Sequence, residues 1–326
     1  MQNGLVSFDE AVGLLSSGRY FTVAADEALL RKLPAGHWIG GSTPYFVGHE
    51  GGESSREKVF ITELPTLAGT PEIRFYTPEQ LPQVFLDAPE NGFSLIIIPA
   101  FSQAHLDFAR HAPEYDEAFL KPLTGWISGM HLDDLSSAQA MVANGQQQEF
   151  SNVAAVVMHV PLPDDKLAEI NIVNLFHPGQ GPAIRFPSTG FTAGDCLIDG
   201  HPANLADYLL AQNADTSVPL VADYCGAMVN VSIKGIDAAT HSVAFYAPVF
   251  EDMEYRIADP VKDYVAAFAA AMPAGGGHTA FSCNCILNYL HSDLEGKRTG
   301  ALAGPVTFGE VAYQLLNQTL VYMTIE

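Results

Sequence analysis

Cys283 and Cys285 stand two residues apart near the C-terminal end of the chain, with His278 and His291 close by in sequence. Two thiolates and two imidazoles form a zinc donor set at about 2.3 and 2.1 Å. The C-x-C spacing argues against it. It is tighter than the usual C-x₂₋₄-C, and on a strand side chains two apart share a face without enclosing an ion. Two readings remain for Cys283, a buried or pocket-lining thiol and a nucleophile. The nucleophile needs a cation or a helix N-terminus to lower its pKa, and a helix beginning near Asn284 would supply the latter. Glu310 follows Gly309. It reads either as a pocket acceptor for an amine or hydroxyl, or as a first-turn helix glutamate favoured by the dipole.

A second group of chemically competent residues sits at glycine turns. Gly40-Gly41-Ser42-Thr43 and Ser128-Gly129 each follow an apolar run. Backbone N–H groups and hydroxyls there can cradle an anion, or can serve the turn alone. Neither is a nucleophile elbow, because Pro44 stands where G-x-S-x-G requires glycine. No phosphate-loop or dinucleotide fingerprint is present. Both turns belong to one phrase, P-x-x-x-W-I-x-G, written at Pro34–Gly41 and again at Pro122–Gly129 with the chain's two tryptophans in it. Repetition at this length predicts an internal pseudo-repeat of strand–turn–strand units. Trp38 and Trp126 are expected as core anchors, with ligand stacking as the alternative.

The elements that must position these residues are legible from caps and periodicity. Ser7 and Glu10 form a capping box ahead of a helix that Gly18 ends. Tyr20–Val23 and Val59–Glu63 read as strands, and 26–33 as a helix stopped by Pro34. The unbroken run Leu95–Ile98 predicts a central strand, Ser102 caps the helix after it, and the second tryptophan phrase completes a β-α-β element. Pro161-Leu162-Pro163-Asp164-Asp165 marks a boundary. It divides the chain into 1–163, with the pseudo-repeat, and 164–326. In the second part a helix is expected over 202–212, a hairpin from 228–236 and 243–250, a helix from Asp259-Pro260 to Met272, and a final strand over 319–325. The expected fold class is α/β in the mixed α+β sense: two related halves with stacked mixed sheets and outer helices.

The 326 residues are 48% hydrophobic and 16% charged, enough to fill a sizeable core. A net charge of −22 repels phosphate backbones and anionic lipid, so neither nucleic acid nor a membrane surface is an expected partner. The first ten residues hold Asp9 and Glu10 but no Lys or Arg, unlike a secretory leader, and no apolar run approaches a membrane span. The expectation is a soluble, cytoplasmic protein whose four cysteines are reduced.

The C-terminal motifs resemble a known module. Phe281-Ser282-Cys283-Asn284, then Phe308-Gly309-Glu310-Val311, then Asn317-Gln318-Thr319 are similar to the F-S-C-x-x-R, F-G-E-I and N-x-T motifs of the FIST C domain. The Leu95–Ser102 strand followed by Trp126-Ile127-Ser128-Gly129 resembles the FIST N domain. Ile286 stands where the family has arginine. The resemblance implies a sensory module for a small ligand, an amino acid or other polar metabolite, with a signalling protein as partner. Haem is implied only through relatives that sense nitric oxide, and no cofactor is otherwise expected. The ligand residues so implied are Gly41, Ser42, Thr43, Ser102, Trp126, Ser128, Cys283, Asn284, Glu310 and Asn317, in a pocket between the halves. An enzyme with Cys283 as nucleophile and a structural or oligomeric interaction protein are the alternatives.

Overall fold

The structure, a computed structural model, describes residues 3–64, 68–224, 227–251, 253–271, 279–298 and 300–326. Cys225, His278 and the glycines at 275–277 lie outside the described residues.

Helix α1 (Phe8–Leu15) follows strand β1 (Asn3–Ser7), and Ser7 caps it by accepting the Glu10 N–H at 3.3 Å. Strand β2 (Phe21–Ala25), helix α2 (Glu27–Leu30) and strand β3 (Trp38–Ser42) form a β-α-β turn with parallel strands. A hairpin of β4 (Tyr45–Gly48) and β5 (Gly51–Ser54) follows. Strand β6 (Lys58–Glu63) then returns antiparallel between β1 and β2.

The same order recurs. Strand β7 (Glu72–Tyr76) precedes β8 (Gly92–Pro99), α3 (Gln103–His111) and the parallel strand β9 (Leu123–Ser128). The hairpin β10 (Val142–Asn144) and β11 (Glu149–Ser151) follows, and β12 (Ala155–Pro161) returns between β7 and β8.

It then recurs a third time, which the sequence did not announce. Strand β13 (Ala168–Val173) is separated from the rest of its unit by an inserted lobe. The lobe spans 184–257 and holds the short strands β14 to β22 with helix α4 (Leu205–Ala211). After helix α5 (Tyr264–Ala271) come β23 (Thr279–Cys285), α6 (Ile286–His291) and the parallel strand β24 (Gly304–Thr307). The hairpin β25 (Glu310–Ala312) and β26 (Gln314–Leu316) follows, and β27 (Leu320–Ile325) returns between β13 and β23.

Each hairpin leaves its own unit and completes another unit's sheet. β4 pairs with β24, β10 with β3, and β25 with β9. The sheet orders are therefore superimposable: β1-β6-β2-β3-β10-β11, β7-β12-β8-β9-β25-β26 and β13-β27-β23-β24-β4-β5. This cyclic exchange ties the three units together. Their inner faces share one apolar core, with Ile39 and Phe60 from the first sheet, Leu95, Trp126 and Met158 from the second, and Phe281 and Val321 from the third. Helices cover the outer faces: Leu15 and Leu30 on the first, Phe108 on the second, Phe268 and Leu287 on the third. The fold is mixed α+β with stacked mixed sheets and helices outside. The boundary near 163 falls between the second unit and the third.

The repeated phrase lies in equivalent strands but out of register. Trp38 is the first residue of β3, paired with Phe21, whereas Trp126 is the fourth of β9, paired with Ile97. A shift of three is odd, so the two rings point to opposite faces. Trp38 packs outward under α1 and α2, and Trp126 packs inward, stacked on Phe281 with ring centroids 5.6 Å apart. Both are core anchors.

Other expectations shift by local chemistry. Helix α5 starts at Tyr264 because Asp263, not Asp259, accepts the Ala266 N–H at 3.0 Å. Helix α4 starts at Leu205, capped by Asn204. The 228–236 run breaks at Ser232, whose N–H goes to the Asn317 side chain, so the hairpin is Ile233–Asp237 with Ser242–Val249. Among the described residues no helix is long and apolar enough to cross a membrane.

Candidate ligand site

The three parallel pairs end within a residue of equivalent points, Ala25 with Ser42, Pro99 with Ser128, and Cys285 with Thr307. In α/β sheets ligands collect beyond the carboxyl ends of such strands. Here the three ends meet one another. The Ser42 hydroxyl donates to the Gly129 carbonyl at 2.6 Å and accepts the Met141 N–H at 2.8 Å, and the Gly129 N–H donates to the Ser42 carbonyl at 2.7 Å. Thr43 Oγ1 donates to the Val306 carbonyl at 2.7 Å, and Phe308 N–H to the Ile127 carbonyl at 3.0 Å. Gly41 lies where a Cβ would stand 2.6 Å from Ile97 and 3.0 Å from Trp126 Nε1, so only glycine lets β3 approach this closely.

Where the tails of β3 and β9 join, a cavity of about 210 Å³ opens. Thr43 and Pro44 come from the first tail, and Gly129, Met130 and His131 from the second. Asp26 and Glu27, just past β2, add acid. Arg56 adds a cation, held 2.7 Å from Asp134, which also lines the space with Gln139. His131 stacks on Tyr45, with centroids 5.4 Å apart, and its Nδ1 accepts the Asp133 N–H at 3.2 Å. The Asp133 carboxylate stands 3.5 Å from the same nitrogen. The cavity thus offers both charge signs, hydrogen-bond donors and a thioether to a small polar molecule.

A different arrangement surrounds Glu310. It is the cross-strand partner of Trp126 and is fully buried in β25, not in a helix turn. Its carboxyl accepts Thr319 Oγ1 at 2.8 Å and the Thr319 N–H at 3.3 Å, with Thr307 Oγ1 at 3.4 Å and the Cys285 thiol beside it. Burial without a cation pushes the carboxyl pKa up to about 8, so it is largely protonated at neutral pH. Burial also pushes the Cys283 and Cys285 thiols well above their ordinary value, with Glu310 adding to it. Cys283 donates to the Gly125 carbonyl at 3.4 Å. The lowered pKa that a nucleophile requires is absent, and the cysteine is a packed core residue. Helix α6 does begin next to this pair, but it exposes neither thiol.

The ten residues expected to share one pocket are therefore distributed. Thr43 lines the cavity, whereas Gly41, Ser42 and Ser128 are buried at the strand ends and do not line it. Trp126, Cys283 and Glu310 belong to the sealed core. Asn284 accepts the Cys285 N–H and the Asn288 amide through Oδ1 at 2.8 and 3.0 Å. Ser102 caps α3, accepting the His105 N–H at 3.1 Å. Asn317 holds the inserted lobe, accepting Ser232 N–H at 3.0 Å and Ser232 Oγ at 2.5 Å. Ser128 Oγ, Trp126 Nε1 and the Asn284 and Asn317 amide nitrogens have no hydrogen-bond partner among the described residues. Asp26, Arg56, His131, Asp134 and Gln139 were not anticipated as site residues, because their types and spacing form no motif.

Among the described residues no group of three His, Cys, Asp or Glu could hold a metal ion. No curated protein matches the chain. Residues 6–326 match a family of unknown function, DUF6976, and this chain belongs to it.

Proposed function

We propose that the protein binds a small polar or zwitterionic metabolite at the junction of the β3 and β9 tails, and acts as a soluble, cytoplasmic sensory or accessory protein of the FIST type. The observation that carries the reading is the cavity walled by both tails at the carboxyl ends of parallel strands. The mixed charge of its rim suits a ligand with an amine and a carboxylate, such as an amino acid. The resemblance of the C-terminal motifs to the FIST C domain supports a sensing role. Ligand binding would fix the loop at 129–141, and a signalling partner would read that change.

A thermal-shift screen of the purified protein against free amino acids and short dicarboxylates tests the proposal. A concentration-dependent rise in unfolding temperature for at least one compound is expected. No rise for any compound at millimolar concentration contradicts it.

A further inference from the structure

A second cavity, of about 400 Å³, lies at the seam between the inserted lobe and the third unit, away from the junction described above. Three segments wall it: residues 215–218 of the lobe, 260–265 at the entry to α5, and 291–297 after α6. One side is apolar, formed by Phe176, Val218, Val261 and the buried Tyr264. The other side carries charge, and most of it is already committed. Asp215 accepts the Ser217 N–H and hydroxyl at 2.9 and 2.6 Å, which holds its pKa below the ordinary value. Asp263 caps α5, and Asp293 pairs with Lys297 at 3.2 Å. His291 Nδ1 meets the Ser217 carbonyl at 3.1 Å. Lys262 lines the cavity and has no ion-pair partner among the described residues.

We infer that this cavity is a second binding site, taking a small amphiphile with an anionic head. The aliphatic or aromatic body lies on the apolar wall and leaves water there. The head pairs with the Lys262 ammonium, which has no ion-pair partner among the described residues, and turns away from Asp215 and Asp263, whose carboxylates keep their charge. The volume is within the range of small-molecule sites. The walls belong to two parts of the chain that Gln318 also joins, donating to the Ser217 carbonyl at 2.9 Å, so an occupant stiffens the seat of the lobe.

Calorimetric titration of the full chain with octanoate, octylammonium and octanol tests the site. Saturable octanoate binding is expected, with octylammonium at least about tenfold weaker. Lys262→Met, at an exposed position, should weaken octanoate about tenfold and leave octanol unchanged. Val218→Trp should abolish both, and Gln139→Trp, in the other cavity, should change neither. Absence of saturable octanoate binding, equal binding of the two charged probes, or octanoate binding that Lys262→Met leaves intact would each overturn the proposal. So would loss of octanoate binding in Gln139→Trp, which would move the ligand to the first cavity.

Discussion

The junction of the β3 and β9 tails and the seam around Glu310 are pseudo-equivalent places with opposite characters. Both begin at the last residue of a parallel pair, and both present hydroxyls. After β3 and β24, two residues lead to the next hairpin strand, 43–44 and 308–309. After β9 the connection runs through 129–141. The short connections keep the chain against the sheet, and at Glu310 the carboxyl folds back onto Thr307 and Thr319 with no space left. The long one rises away and leaves a charged cavity behind it. Openness here follows from connection length, not from how polar the strand end is.

Substitutions separate the two regions by size of effect. Trp126→Ala removes a fully buried ring from the shared core and its stacking on Phe281, and should cost roughly 3–5 kcal/mol in urea unfolding. A loss below about 1 kcal/mol would mean the inner core is not shared by three sheets as described.

Glu310 gives a pH signature. Its folded pKa, about 8, lies above the ordinary carboxylate value, so the folded state keeps a proton that the unfolded chain releases. Its contribution is fully present below the ordinary value of 4.5, shrinks as pH rises, and is lost above about 8. Wild type should therefore lose a few kcal/mol relative to Glu310→Gln between pH 5 and 8. Parallel stability curves would show that the seam is hydrated, not sealed.

At the junction, Ser42→Ala removes a hydroxyl that serves both Gly129 and Met141. About 1–3 kcal/mol should be lost, since the Met141 N–H is left buried without its acceptor. Arg56→Met breaks only a part-exposed pair with Asp134 and should change stability by less than about 1 kcal/mol, while weakening a carboxylate-bearing ligand severalfold. The reverse pattern, a large stability loss with unchanged binding, would make Arg56 a structural residue.

Much of the fold was legible because caps and apolar runs are local. Ser7, Ser102 and the 95–98 run each announced their element. The pseudo-repeat was visible through its tryptophans, yet they misreported the register, since identical residues occupy opposite faces. The third unit was invisible for two reasons. An inserted lobe separates β13 from β23, and Gly304–Thr307 carries no tryptophan. Thr43 was named from a Gly-Ser-Thr turn that reads either as an anion cradle or as a turn alone, and it lies on the cavity wall. Glu310 and Cys283 were found as motif members, but burial set by distant strands decided what they do. Arg56 and His131 reach the cavity only through tertiary folding.

The central claim is that the open junction, and not the sealed seam, takes the small polar ligand. Calorimetric titration of the strongest thermal-shift compound into wild type and Gln139→Trp tests it directly, because Gln139 lines the cavity and is exposed. One-site binding in wild type, and loss of at least about tenfold in the variant with its unfolding temperature unchanged, is the predicted result. Equal affinity in the two proteins would contradict the account.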